Sequence, residues 1–197
     1  IAVTTGLDYF FEQANVSDFL VLEIGTDSDA LGETVKGLDS VTDCRKEPQI
    51  MGYGPDIKII GSDEEVTGMQ LYMSIEDAQL NYFDQNNQVI NEVEKGKFYT
   101  TSSFASNNNL KVGDKIIVTM DKNEVELEYL GKAKDAVLGS SGFGTPKFIL
   151  NDDDYQRIYE DVTSKERIGN MYYIYTTDVD EVKEAINGFS GVSMSEE

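Results

Sequence analysis

Asp18-Phe19-Leu20-Val21-Leu22-Glu23-Ile24 is a short, mostly apolar run bounded by polar turn residues, and it reads as a β-strand. Just before it, Thr5 is placed to cap a helix in which Leu7, Phe10, Phe11 and Ala14 recur at helical spacing. Just after it, residues 26–29 offer capping side chains for a second helix with Leu31, Val35 and Leu38 on one face. Residues 41–51 then read as another strand, with Pro48 confining it to an edge or a bulge. The result is a strand–helix–strand unit. The far end of the chain repeats the style. Asn151-Asp152-Asp153-Asp154 opens a short helix carrying Tyr155, Ile158 and Tyr159 on one side, and Met171-Tyr172-Tyr173-Ile174-Tyr175 is a strand. Asp178 opens a helix faced by Val179, Val182 and Ile186, and residues 192–194 form a final strand.

Between these ends lie short strand candidates at 56–60, 69–75, 97–100, 115–120, 124–130 and 147–150. Turn residues such as Gly54-Pro55, Gly61-Ser62-Asp63, Asn86-Asn87 and Asp121-Lys122-Asn123 separate them. Val125, Leu127 and Tyr129 alternate with Glu124, Glu126 and Glu128, the pattern of a strand with one wet face. This middle reads as a small antiparallel β module. Strand–helix–strand halves at both ends are what a split, ferredoxin-like layer requires. The expected fold class is therefore α+β: a discontinuous ferredoxin-like subdomain interrupted by an inserted β-rich subdomain.

Composition narrows the function. The chain has 197 residues, enough for one large domain or two small ones, and is 40% hydrophobic and 27% charged, as globular proteins are. Asp plus Glu is 37 against 16 Lys plus Arg, a net charge of -21. Such an excess repels phosphate backbones and anionic headgroups, so no nucleic-acid partner is expected. Cys44 is the single cysteine and can close no intrachain disulfide or CxxC motif; it reads as a small apolar strand residue. No apolar run approaches the ~20 residues of a membrane span, and no signal-peptide core is present. The chain opens at Ile1 without an initiator Met and closes on Ser193-Met194-Ser195-Glu196-Glu197, so both ends read as cuts that excise a soluble piece from a larger protein.

Catalytic chemistry is hard to assemble. With no His, the usual general base, the commonest metal ligand and every Ser-His or Cys-His pair are missing. Gly139-Ser140-Ser141-Gly142-Phe143-Gly144-Thr145-Pro146 is the most glycine-rich stretch, but it lacks the Lys of a phosphate loop, the third glycine of a dinucleotide fingerprint and the spacing of a nucleophile elbow. It reads as a hairpin tip or partner-touching loop, with Gly142 and Phe143 as contact residues; Tyr53 marks a second such tip. Asp27-Ser28-Asp29-Ala30-Leu31-Gly32 starts like a calcium loop but puts Leu31 and Leu38 at ligand positions. Consecutive acids there and at Asn151 to Asp154 are accounted for as helix-start residues. Paired carboxylates of a glycosidase are assembled in space and leave no mark in sequence. No catalytic residue, no metal ligand and no cofactor is therefore assigned.

Three features together resemble a known family. The opening helix ends in Asn15-Val16-Ser17-Asp18-Phe19, where a short polar turn delivers Asp-Phe into the first strand. The next helix runs into Leu38-Asp39-Ser40-Val41, an entry to the second strand. A Ser/Ala-rich helix over 101–108 leads into Leu110-Lys111-Val112-Gly113-Asp114-Lys115-Ile116. This order resembles the extracytoplasmic domain of MacB/FtsX-type ABC-transporter permeases. The resemblance implies a porter-type α+β subdomain built from residues 1–75 and 168–197, with residues 76–167 inserted as the β-rich subdomain. It also implies a non-catalytic domain on the outer face of a bacterial membrane, anchored by flanking transmembrane helices. Its partners would be those helices, a second permease subunit, the cytoplasmic ATPase indirectly, and a peptide, lipid or protein substrate. Acidity and the absence of cysteine pairs suit a Gram-positive surface. The stretch from Gly52 to Val66, with its acidic Asp63-Glu64-Glu65 turn, has no place in the family pattern. The competing reading is a free-standing surface binding module of adhesin or solute-binding type.

Overall fold

The computed structural model describes residues 17–134 and 144–196. The expected helix around Leu7, Phe10, Phe11 and Ala14 lies outside them, as do Gly142 and Phe143. In chain order the elements begin with β1 (Phe19–Ile24), α1 (Ala30–Lys36), β2 (Val41–Tyr53), β3 (Ile57–Ile59) and β4 (Met69–Ser74). They continue with β5 (Lys97–Thr101), α2 (Ser102–Asn107), β6 (Lys115–Thr119), β7 (Glu124–Ala133) and β8 (Lys147–Leu150). The last are α3 (Asp152–Glu160), β9 (Ile168–Thr176), α4 (Val179–Ile186) and β10 (Val192–Glu196). All the strands among the described residues join one ten-stranded mixed sheet in the order β10-β1-β9-β2-β4-β8-β5-β7-β6-β3.

Alternation along β1 explains the layering. Phe19 and Val21 turn to one face, where they pack with Tyr172 and Ile174 against Leu31 and Val35 of α1 and Val182 and Ile186 of α4. Leu20 and Leu22 turn to the other face, beside Met51, Leu71, Met171 and Tyr173. Both faces of β1 and β9 are covered, which is why their sequences run almost unbroken in apolar residues. The other half of the sheet has a larger core. Here α2 contributes Phe104 and Ala105, and α3 contributes Tyr155 and Ile158. Phe148 sits edge-on to Tyr72 at 5.0 Å and to Phe104 at 4.8 Å. Each such pair adds about 0.5–1.5 kcal/mol beyond its burial.

Two expectations need correction. The middle is not a purely antiparallel module, because β4 pairs with β8 and β5 with β7 in parallel. Parallel neighbours need a crossover, and α2 with β6 supplies the one between β5 and β7. The strand containing Pro48 is not at an edge, since β2 lies between β9 and β4. Pro48 faces Asn170 of β9, while β4 pairs with β2 only from Ile50 onward, so no ladder bond to β4 is asked of residue 48. Tyr155 and Tyr159 share a side of α3, where their rings stack, and Tyr159 at the outer end of that side is 37% exposed.

The acidic clusters have local partners. Asn151 caps α3 by accepting the Asp153 N–H at 2.9 Å, and Asp154, fully buried, accepts the Gly96 N–H at 2.6 Å. Asp29 makes no side-chain cap at α1; its carboxylate pairs with Lys46, and that hydrogen bond holds it below the usual carboxylate range. Cys44 is buried in β2, and burial pushes its thiol up to about 11, the behaviour of a packing residue.

Candidate functional site

The strongest polar constellation is a closed ionic knot in the middle of the sheet. Glu47 projects from β2, Lys147 begins β8, Tyr173 projects from β9, and Tyr82 comes from the irregular segment between β4 and β5. Lys147 Nζ lies 3.0 Å from Glu47 Oε1 and donates to the hydroxyl oxygens of Tyr82 at 2.7 Å and Tyr173 at 2.9 Å. Each tyrosine hydroxyl donates onward to the Glu47 carboxylate at 3.0 Å. Gln49 Nε2 at 2.8 Å and the Gln79 backbone N–H at 3.1 Å complete the ring of donors around Glu47. Glu47, Lys147, Tyr82 and Tyr173 are all between 0 and 2% exposed.

That saturation decides what the knot does. A carboxylate and an ammonium removed from water cost several kcal/mol each, recovered only when geometry is good and the remaining lone pairs and protons are used. Here they are used. Burial, then the Glu47 charge, push the Tyr173 hydroxyl well above its ordinary range despite the opposing Lys147. It is therefore a neutral donor at physiological pH. Amine, carboxylate and phenol are the groups of acid–base catalysis, but each already holds its partner and is sealed from solvent. The arrangement is a structural clasp: one set of bonds ties β2, β8, β9 and the 75–96 segment together.

Nothing in the periodicity pointed to this knot. Glu47 lies in a strand whose neighbouring charges Arg45 and Lys46 are part-exposed, and Lys147 merely precedes an apolar Phe-Ile-Leu. The only trace is the pair Tyr172-Tyr173 in a buried strand, since a buried tyrosine hydroxyl asks for a partner.

Tyr53, singled out in the sequence, ends β2 and is 42% exposed. Its backbone N–H donates to Asp56 Oδ2 at 2.7 Å, and the Arg167 guanidinium sits 5.5 Å from its ring centre. Arg167 grips Asp56 with both terminal nitrogens, at 2.6 and 3.2 Å, and that bond raises its already high pKa against the opposing effect of burial. The ring is thus held in place at the surface by a salt bridge beneath it. Its companions Gly142 and Phe143 lie outside the described residues.

The edge formed by β10 and β1 has a further property. The two strands are antiparallel neighbours with Phe19 opposite Glu196, so the start of the first described strand and the end of the last lie side by side. Paired Cα atoms in such a ladder are about 4.5–5.5 Å apart. Among the described residues no helix is long and apolar enough to cross a membrane, and no group of three or more Cys, Asp or Glu side chains is placed to hold a metal.

No protein-family model and no curated protein matches the chain. Among solved structures it is similar to the periplasmic region of MacB from Actinobacillus actinomycetemcomitans, at 10% identity and a TM-score of 0.46, over 98% of this chain and 94% of that one. It is also similar to a putative lipoprotein from Bacillus anthracis, at 11% identity and a TM-score of 0.47, over 90% of this chain and 95% of that one. A third is a domain of a putative permease protein from Porphyromonas gingivalis, at 10% identity and a TM-score of 0.45, over 92% of this chain and 91% of that one.

Proposed function

We propose that this chain is the extracytoplasmic domain of a MacB/FtsX-type ABC-transporter permease, non-catalytic, which relays movement between membrane helices and a substrate or partner outside the membrane. The observation that carries the reading is the adjacency of Phe19 and Glu196 on neighbouring strands. A domain inserted between two consecutive membrane helices must receive and return the chain at one place. The order of motifs supports it as well: the Asp18-Phe19 entry, the Leu38 to Val41 entry and the Leu110 to Ile116 turn all open onto the strands β1, β2 and β6.

In this reading residues 1–75 and 168–197 form the porter-like part and residues 76–167 the inserted part. Force applied at the β10–β1 edge passes through β9 and β2 into the Glu47–Lys147 clasp, and from Lys147 into β8. Tyr53, Gly142 and Phe143 are the residues assigned to partner contact. The domain works beside its own transmembrane helices and a second permease subunit, and follows the cytoplasmic ATPase indirectly.

The test is to read the parent gene on both sides of this segment. Apolar stretches of about 20 residues close before Ile1 and close after Glu197, with further spans beyond, are the expected result. A cleavable leader upstream, with a stop codon or wall anchor downstream, overturns it in favour of a free-standing surface binding module.

A further inference from the structure

The stretch from Gly52 to Val66 builds the far edge of the sheet. Among the described residues strand β3 is the last strand there and pairs only with β6, on its inner side. The Ile60 N–H donates to the Lys115 carbonyl, so residues 58 and 60 turn their backbone groups toward β6. In an antiparallel ladder alternate residues do the opposite, and Ile57 and Ile59 therefore turn theirs outward. Two of those outward groups are already used: the Ile57 N–H donates to the Gly54 carbonyl, and the Ile59 carbonyl accepts from Ser62 N–H. Among the described residues the Ile57 carbonyl and the Ile59 N–H are left over. In a parallel ladder a single residue donates its N–H to one such carbonyl and accepts, on its own carbonyl, from the N–H two residues further on. The two leftover groups thus match one residue of an incoming parallel strand.

These groups border a cleft of about 530 Å³ between β3 and the returning loop. Gly54 lets the loop come close, because a Cβ at that position would strike the Val66 carbonyl. Ile60, Ile117 and Val66 give the cleft apolar walls, and Asp63, Glu64 and Glu65 line its loop side. All three acids are exposed, and among the described residues no Lys or Arg side chain pairs with any of them. Lys58 is the one cation in the lining and is outnumbered.

We infer that this edge takes an extended peptide segment of a partner protein, added to β3 as a parallel strand, with a Lys or Arg side chain beside an apolar one. Strand addition draws affinity from main-chain hydrogen bonds and specificity from the flanking pockets. The apolar walls accept one side chain of the segment, and the acidic loop accepts the cationic neighbour. The inference stands independently of the permease reading, because it uses only the edge, the cleft and their charge.

The test uses the whole 197-residue chain and a short synthetic peptide of alternating Lys and Val, with an alternating Glu and Val peptide as control. Binding is read by fluorescence anisotropy, and the Ile59 amide is followed by hydrogen exchange in the nuclear magnetic resonance spectrum. The Lys/Val peptide is expected to bind and to slow exchange at Ile59. The combined variant Asp63→Asn, Glu64→Gln, Glu65→Gln should weaken it about tenfold, as should Ile59→Pro, which removes the outward donor while sparing the β6 ladder. Binding with unchanged exchange at Ile59 would mean adsorption to an acidic surface and would overturn the inference. Equal binding of the Glu/Val peptide, or undiminished binding by the charge-neutralised variant, would overturn it too.

Discussion

Glu47 and Lys147 show how much rests on two side chains. Removing one partner of a buried ion pair strands the other without water or counter-charge, whereas removing both charges strands neither, provided an acceptor stays for the Tyr82, Tyr173, Gln49 and Gln79 donors. Glu47→Gln or Lys147→Met alone should therefore cost about 3–5 kcal/mol in urea unfolding, and Glu47→Gln with Lys147→Met, which removes both charges and keeps an acceptor for the tyrosines, should cost clearly less than the sum of the two. A double cost equal to the sum of the two single costs would mean that the clasp is not an ionic unit. Asp161 poses the opposite case, a carboxylate held by backbone alone. It is 6% exposed and accepts the N–H groups of Asp121 at 2.9 Å, Lys122 at 3.0 Å and Asn123 at 3.0 Å. Burial acts to raise its pKa, but these donors win and the net shift is downward. A depressed carboxylate stabilises the fold above its unfolded value of about 3.9, and the contribution is lost as pH falls through the folded value. Asp161→Asn should cost about 1–2 kcal/mol at neutral pH, and the gap to the parent should close as the solution is acidified below about pH 4. Neither site could be read from the sequence. A wet-face carboxylate and a buried, satisfied one look alike in a strand pattern, and the donors to Asp161 come from about forty residues away.

At the scale of elements the sequence said more. Strand and helix identities followed from period and capping: Asp178 accepts the Glu181 N–H at 3.1 Å as the cap of α4, and β7 alternates as its Glu residues require. What it could not say is which strands meet. A strand carries the same alternation whether its neighbour runs parallel or antiparallel, so the β4–β8 and β5–β7 pairings left no mark. The Leu110 to Ile116 turn is the element where local sequence and structure agree most closely. Asp114 accepts the Lys111 N–H at 2.8 Å, the Gly113 N–H donates to the Tyr129 carbonyl, and Gly113 has φ +95°. A Cβ at Gly113 would meet nothing, so its substitution carries only the conformational penalty. Gly113→Ala should lower stability by about 1–2 kcal/mol without altering the cores on either side, measurable as a shift in urea midpoint with unchanged m-value. A changed m-value would show that the turn also fixes the register of β6 against β7.

At the scale of the whole molecule, the question is whether the two ends of the sheet behave as one body. The α1 and α4 core and the larger α2 and α3 core are separate clusters, which favours independent melting. Against that, β4 hydrogen-bonds to β2 on one side and β8 on the other, so no break in the ladder separates them. The clasp adds charged bonds from β2 and β9 to β8 across the same line. Charge-assisted bonds in a dry site are worth about 1.5–3 kcal/mol each, comparable to a buried apolar side chain. The continuous ladder and the clasp together should outweigh the division of the core. The chain has 11 Tyr and no Trp, so tyrosine fluorescence samples both cores, and far-UV circular dichroism samples the sheet. The parent chain should unfold in urea in a single transition, with the two signals coincident. Lys147→Met should separate them, because the β4 ladder alone must then hold the halves together. Separate transitions in the parent would mean that each half is stable alone, and movement imposed at the β10–β1 edge would then not reach β8 through a rigid sheet.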